Sequence, residues 1–260
     1  MKYVSADEAV KLVKSGDWVF FQGSTAVPVI IQEALARRAD ELRGVNIVSG
    51  FNITKGPAPF CKPEYKDSFF VNSLFLCADQ RQYVAEGYGS LIPGFLGELP
   101  SLIRRHEIPI DVACINCSLP DENGYCSYNI SADLAQPAVE AAKIVIAQVN
   151  KSIPYLYGTA MIHESQITAA IECDDPPVDM QFGPPTEIES AIGSYIAAEI
   201  PDGATLQIGV GGIPNAILNG LKDHKHLGLH TEAMTDGVFR LMQTGVIDNS
   251  LKKVEPGRSV

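Results

Sequence analysis

Apolar positions along the chain switch between helical spacing and short continuous runs. Ala6, Ala9, Val10 and Val13 recur at helical spacing over residues 5–14, with Ser5 and Glu8 at capping-box separation and Gly16 as the stop. Residues 17–21 form an apolar run that predicts a strand, and residues 22–25 a small polar loop. Residues 28–42 predict a helix, carrying Val29, Ile30, Leu35, Ala39 and Leu42 and ending at Gly44. Residues 45–48 predict the next strand. A strand, loop, helix and strand in that order imply a parallel pair joined by a right-handed crossover.

Residues 52–67 are rich in Pro, Gly and Lys, and Pro57, Pro59 and Pro63 prevent regular structure there. A solvated loop is the preferred reading over one that lines a ligand channel. Residues 69–77 and 111–119 are strand-like, with a helix near 99–106 between them. Residues 133–142 predict a helix begun or interrupted by Pro137, and residues 144–149 another buried strand. This alternation marks an α/β protein with a mostly parallel sheet.

Residues 174–185 hold four prolines and break the pattern, so the domain boundary is placed there, giving domains at 1–180 and 186–260. The second begins as the first does: a helix, a glycine, a strand, a glycine loop, a proline-led helix and a strand. Gly16 and Gly203 lie 187 residues apart, and Pro28 and Pro214 lie 186 apart. A duplicated domain with facing glycine loops is the simplest account. By its place just past the matching strand, Glu232 falls near Ser49 or Gly50 of the first copy, so only the second copy carries an acid at that point.

The candidate chemistry lies in that second copy. A strand over 205–208 runs into Gly209, Gly211 and Gly212, and then into Pro214 at the first turn of a helix. Glycine lets the backbone approach a ligand, and the free N–H groups of a helix start attract negative charge. Gln207, Ile208, Gly209, Val210, Gly211 and Gly212 are therefore the candidate ligand-binding residues. A second apolar stretch, 227–230, reaches Thr231 and Glu232, followed by Thr235, Asp236 and Gly237 as the cap of the next helix. Glu232 should therefore stand at the carboxyl end of a strand beside the glycine loop, where open α/β sheets bind ligands. Nearby His230 is expected to pack rather than to orient Glu232. Gln22, Gly23 and Ser24, in the corresponding loop of the first copy, are weaker candidates to face a substrate, and His163, His224 and His226 belong to no recognisable constellation.

These stretches resemble the acetyl-CoA hydrolase and CoA-transferase family, which includes the 4-hydroxybutyrate and butyrate:acetate CoA-transferases. The resemblance is carried by Gly-Val-Gly-Gly-Ile-Pro-Asn-Ala-Ile-Leu at 209–218 and Leu-Gly-Leu-His-Thr-Glu at 227–232. Pro-Asp-Glu-Asn-Gly-Tyr-Cys-Ser at 120–127 and Lys-Ile-Val-Ile-Ala-Gln-Val-Asn at 143–150 support it. It implies tandem CoA-transferase domains and coenzyme A as substrate, with Glu232 as a nucleophile that forms a glutamyl-CoA thioester with no metal. It also implies a homodimer or larger assembly, and a second domain incomplete in this sequence. Three functions stay open: a transferase between acetyl-CoA and a short-chain carboxylate such as 4-hydroxybutyrate or butyrate, an acetyl-CoA hydrolase, and a non-catalytic CoA-binding or assembly piece.

Charge and composition narrow the partners. A net charge of −11 with no basic stripe argues against nucleic acid. It also means that a polyanion such as coenzyme A would be held by local N–H groups and a few cations. No uncharged apolar run reaches the roughly 18 residues a membrane span needs, and the N-terminus carries acids, so a cytoplasmic protein is expected. Cys114 and Cys117 form one C-x-x-C, but within a strand-like run and without a second ligand pair. The six cysteines are therefore read as free thiols and no metal site is assigned.

Overall fold

The computed structural model describes residues 1–128, 130–179 and 183–260. The chain divides into two compact units, Met1–Met180 and Gln181–Val260.

In the first unit, Ser5 Oγ accepts the Glu8 amide at 3.2 Å and starts α1 (Ala6–Ala9). The Glu8 carboxylate turns to Lys11 Nζ at 2.6 Å, so the capping box is half made, and the chain tightens into a 3-10 turn at Val10–Leu12. Then follow β1 (Trp18–Phe21), α2 (Val29–Ala36), β2 (Val45–Ser49), β3 (Phe69–Ser73), α3 (Ala78–Ala85), β4 (Gly89–Leu91) and α4 (Leu99–Arg104). The unit continues through β5 (Val112–Cys117), β6 (Tyr125–Ser127), α5 (Ala135–Ala141), β7 (Ile144–Asn150), β8 (Met161–His163) and β9 (Ala169–Cys173).

Seven of these strands form one sheet in the order β4-β3-β2-β1-β5-β7-β9, parallel throughout. β6 and β8 make a separate antiparallel pair. Alternation along each strand feeds two cores. Val19, Phe21, Ile47, Val71 and Cys114 face α1, α2 and Tyr83 of α3, whereas Phe20, Val48, Ile115, Cys117 and Val149 face α4 and α5. A parallel sheet covered on both sides needs such doubly buried strands. The order reverses between β1 and β5, so the carboxyl ends of the central strands form a switch point.

Some boundaries differ from expectation. α2 stops at Ala36 and the chain continues in turns, over which Arg38 donates to the carbonyls of Val10 and Val13. β3 stops at Ser73. Pro137 sits in the first turn of α5, where an N–H would have no intrahelical acceptor anyway. Residues 52–67 are not simply solvated: Phe60 is fully buried and stacks on Phe21 at 5.6 Å.

In the second unit, Thr186 and Glu189 complete a reciprocal capping box at the start of α6 (Glu187–Glu199). β10 (Thr205–Leu206), α7 (Gly212–Gly220), β11 (Gly228–Leu229) and α8 (Asp236–Gln243) follow. β10 and β11 are parallel, Thr205 beside Gly228 and Leu206 beside Leu229. Leu206, Ile208, Leu218, Leu227, Leu229, Val238 and Leu241 form the core of this unit. The chain's last residue adds to the outer side of β11: Val260 N donates to Leu229 O, and Thr231 N to Val260 O at 2.7 Å. Lys252 clamps this segment, its buried ammonium donating to Leu229 O at 2.8 Å and Arg258 O at 2.6 Å.

Candidate active site

The two strands of the second unit are locked at their carboxyl ends by one hydroxyl. Thr231 Oγ1 accepts the Ile208 amide and donates to the Ile208 carbonyl, both at 3.0 Å. Threonine suits this because its hydroxyl both donates and accepts. Glu232 is the next residue and is exposed. The acid and the start of the glycine loop are thus one residue either side of a fixed hydrogen-bonded link. Sequence reasoning singled out the Glu and not the Thr, although both lie in one motif.

Around the loop, Gln207, Gly209 and Val210 are exposed, whereas Ile208 is buried in the core. With its amide and carbonyl both engaged by Thr231, Ile208 serves the link between the strands rather than presenting a free donor. Gly211 sits at φ 128°, ψ −176°, a conformation that favours glycine, and turns the chain into α7. Among the described residues, none of the amides of Gly209, Val210, Gly211 and Gly212 has a hydrogen-bond acceptor. Four free donors at the mouth of a nine-residue helix are the physical requirement for holding an oxyanion or phosphate.

Gly212 has a second reason to be glycine. A Cβ built there would lie 2.0 Å from Glu189 Oε1, so the carboxylate that caps α6 packs directly on this Cα. Two hydrogen bonds from Thr186, through its amide and then its hydroxyl, hold that carboxyl below its ordinary range. Thr-x-x-Glu is the capping-box spacing, but the contact of this cap with the glycine loop needs the fold.

Several expectations are corrected. His230 is exposed rather than packed, and it lies just past the end of β11 at Leu229. It lines a cleft of about 340 Å³ with Gly203, Thr205, Leu251, Lys252, Lys253 and Val254. His226 does join a constellation: its Nδ1 is 2.7 Å from Asp248 Oδ2, and Ser250 Oγ donates to Asp248 Oδ1 at 2.7 Å. Thr235 is the N-cap of α8, but its hydroxyl is buried without a partner among the described residues.

In the first unit, Gln22 does not face a substrate. It is wholly buried, donates to Tyr128 O and Ser131 O at 3.0 and 2.8 Å, and accepts the Asn116 amide at 2.7 Å. Gly23 is pressed against the Phe51 carbonyl, 2.5 Å from where a Cβ would stand. Cys114 and Cys117 lie in separate cores on opposite faces of β5, so the pair cannot converge on one ion. All six cysteines are free thiols.

Among the described residues, no helix is long and apolar enough to cross a membrane. The chain is 39% identical over its whole length to a 4-hydroxybutyrate coenzyme A transferase of Clostridium kluyveri, of which it covers 60%. It is 38% identical over 98% of its length to a succinyl-CoA:acetate/propanoyl-CoA:succinate CoA transferase of Fasciola hepatica, covering 53%. The crystal structure of a 4-hydroxybutyrate CoA-transferase from Porphyromonas gingivalis superposes with a TM-score of 0.83 at 36% identity, over 99% of this chain and 61% of that one. The chain thus spans somewhat more than half the length of these relatives. With residues 1–180 matching the pattern described as the acetyl-CoA hydrolase/transferase N-terminal domain, the chain belongs to the acetyl-CoA hydrolase/transferase family.

Proposed function

We propose that the chain carries the nucleophile and oxyanion loop of a CoA-transferase acting between acetyl-CoA and a short-chain carboxylate such as 4-hydroxybutyrate or butyrate. The observation behind this reading is the Thr231 link, which puts Glu232 one residue from the strand end that opens into four unpaired amides. A Glu232 carboxylate oxygen attacks the thioester carbonyl, the C–S bond breaks, and CoA thiolate leaves a mixed anhydride. The thiolate then attacks the glutamyl carbonyl and releases acetate, giving a glutamyl-CoA thioester. The acceptor carboxylate attacks that thioester in turn. The freed thiolate takes the new acyl group, and the Glu232 carboxylate is regenerated.

Each addition develops an oxyanion, and amides of the 209–212 loop are the donors for it. Losing one such donor typically lowers the rate by about 10²–10³. The anhydride and the thioester are of similar reactivity, so the exchange needs no external energy source. The reading includes a duplicated domain, supported by a parallel β-α-β unit in each half: β1-α2-β2 and β10-α7-β11. It also includes a second domain continued by further chain, supported by the partial coverage of the relatives.

The test is intact-protein mass after incubation with acetyl-CoA, with and without borohydride. The expected result is a CoA-sized adduct, reduced to the alcohol by borohydride, in the wild type and absent in Glu232→Ala. An adduct that survives in Glu232→Ala removes Glu232 as the nucleophile. An unmodified wild type favours a second reading, suggested by the partial coverage, in which the chain is a non-catalytic piece that becomes active only when the remaining segment is supplied.

A further inference from the structure

Lys252 is a buried cation met by neutral groups. It is 6% exposed, and its ammonium donates to two carbonyl oxygens, Leu229 O at 2.8 Å and Arg258 O at 2.6 Å. Lysine is rarely this buried unless its charge is paired, and a charge held by neutral groups alone costs stability. The fold also gives way to it. A Cβ at Gly228 would stand 2.4 Å from Lys252 Cγ, so β11 carries a glycine where the lysine stem crosses it. Glycine in a strand weakens it and marks a close approach. A buried charge and a weakened strand at one point call for an account beyond packing.

What Lys252 grips is the strand end that leads to the candidate nucleophile. Leu229 is the last residue of β11, and Glu232 follows shortly after it. On the inner side, His230 N donates to Leu206 O at 2.9 Å, and the Thr231 hydroxyl binds both backbone groups of Ile208. On the outer side, Lys252 takes Leu229 O, while Asn249 Oδ1 accepts the Leu229 amide at 2.9 Å. By binding Arg258 O as well, Lys252 fixes the segment from which Val260 O accepts the Thr231 amide at 2.7 Å. A peptide run held on both sides has little freedom left, and Glu232 takes its place from that run.

We propose that Lys252 is a positioning residue for Glu232: through the carbonyls of Leu229 and Arg258 it sets where the carboxylate stands, without touching substrate. For its effect on rate the proposal rests on the reading of Glu232 as nucleophile; for its effect on the strand end it does not. A displacement of about 1 Å at a reacting group can cost about a hundredfold in rate.

Lys252→Met, which keeps an unbranched stem and removes the charge, tests this in the full chain with acetyl-CoA as the probe. The Glu232 adduct forms about ten- to a hundredfold more slowly at saturation, at an unchanged half-saturating concentration. The Thr231 amide exchanges its hydrogen with solvent several times faster. The melting temperature holds or rises, because Leu229 O keeps the Val260 amide at 3.2 Å and replacing a buried charge by an apolar side chain is often neutral or stabilising. An unchanged adduct rate, unchanged Thr231 exchange, or losses that come only with a lowered melting temperature each overturn the proposal. Should Lys252→Met fail to fold, Lys252→Gln, which keeps one donor, is read against the same outcomes. A wild type that forms no adduct removes the transferase reading, and Thr231 exchange then decides this inference by itself.

Discussion

The side chain of Gln22 holds three backbone groups from two distant segments, Tyr128 and Ser131 on one side and Asn116 on the other, and is wholly buried. Gln22→Leu keeps the volume and orphans all three, so it should cost about 1–3 kcal/mol, read as a lowered urea midpoint at unchanged slope; an unmoved midpoint would contradict the network. Two carboxyls give opposite pH responses. Hydrogen bonds from Ser250, then from His226, hold Asp248 down at about 2. Its contribution is therefore present above the ordinary carboxylate value and is lost as pH falls through about 2. Asp79 is shifted the other way by burial, so its contribution is full below the ordinary value and is lost as pH rises through the raised one. Thermal melts across pH should flatten at the acid end for Asp248→Asn, and lose the decline that sets in above the ordinary carboxylate value for Asp79→Asn. If both variants track the wild type, neither shift is real. The places of the glycine loop, between a strand and a helix, and of Glu232, just past the next strand, were legible from residue type and spacing. Thr231, Asp79 and the buried role of Gln22 were not, because each depends on which distant backbone lies opposite.

Among elements, the contact between α6 and α7 rests on missing side chains. A Cβ at Gly193 would stand 2.6 Å from Ala216 Cβ, and one at Gly220 would stand 2.8 Å from Ala197 Cβ. Gly212 meets the Glu189 carboxylate in the same way at the other end of the contact. Gly212→Ala should therefore expel Glu189 from its cap and shift the start of α7, lowering both the melting temperature and any CoA adduct at Glu232. Full adduct formation in that variant would show that loop geometry does not depend on Glu189. The long strands β1, β2, β5 and β7 were readable because doubly buried strands are continuous apolar runs. β4 and β9 escaped notice: Gly-Ser-Leu has no pattern at all, and Ala-Ala-Ile-Glu-Cys carries too little bulk to stand out. α3 was missed as well, since Ala-Asp-Gln-Arg-Gln-Tyr-Val-Ala buries Tyr83 and polar Asp79 and Gln80 rather than an apolar stripe. The helix predicted to Leu42 overran because the apolar spacing continues after the backbone has changed to turns.

At the scale of the whole molecule, charge governs encounter. A chain of net charge −11 repels a polyanionic CoA ester at long range, and salt screens that repulsion over about 10 Å at 0.1 M. Under the proposed reading, the association rate of acetyl-CoA should therefore rise with ionic strength, the reverse of the behaviour of a basic binder; stopped-flow measurements at 0.01 and 0.15 M salt would reveal a fall if local cations dominate instead. The sheet of the first unit has a further property with practical weight. Its β9 edge does not face solvent bare: the backbone of residues 2–4 runs alongside, with Ala170 donating to Lys2 O at 2.8 Å and Val4 donating to Ala170 O at 2.9 Å. Unpaired strand edges recruit other chains. Deleting residues 1–4 should therefore uncover this edge and favour edge-to-edge association, seen as earlier elution in size-exclusion chromatography; an unchanged elution volume would mean that the edge is protected without them.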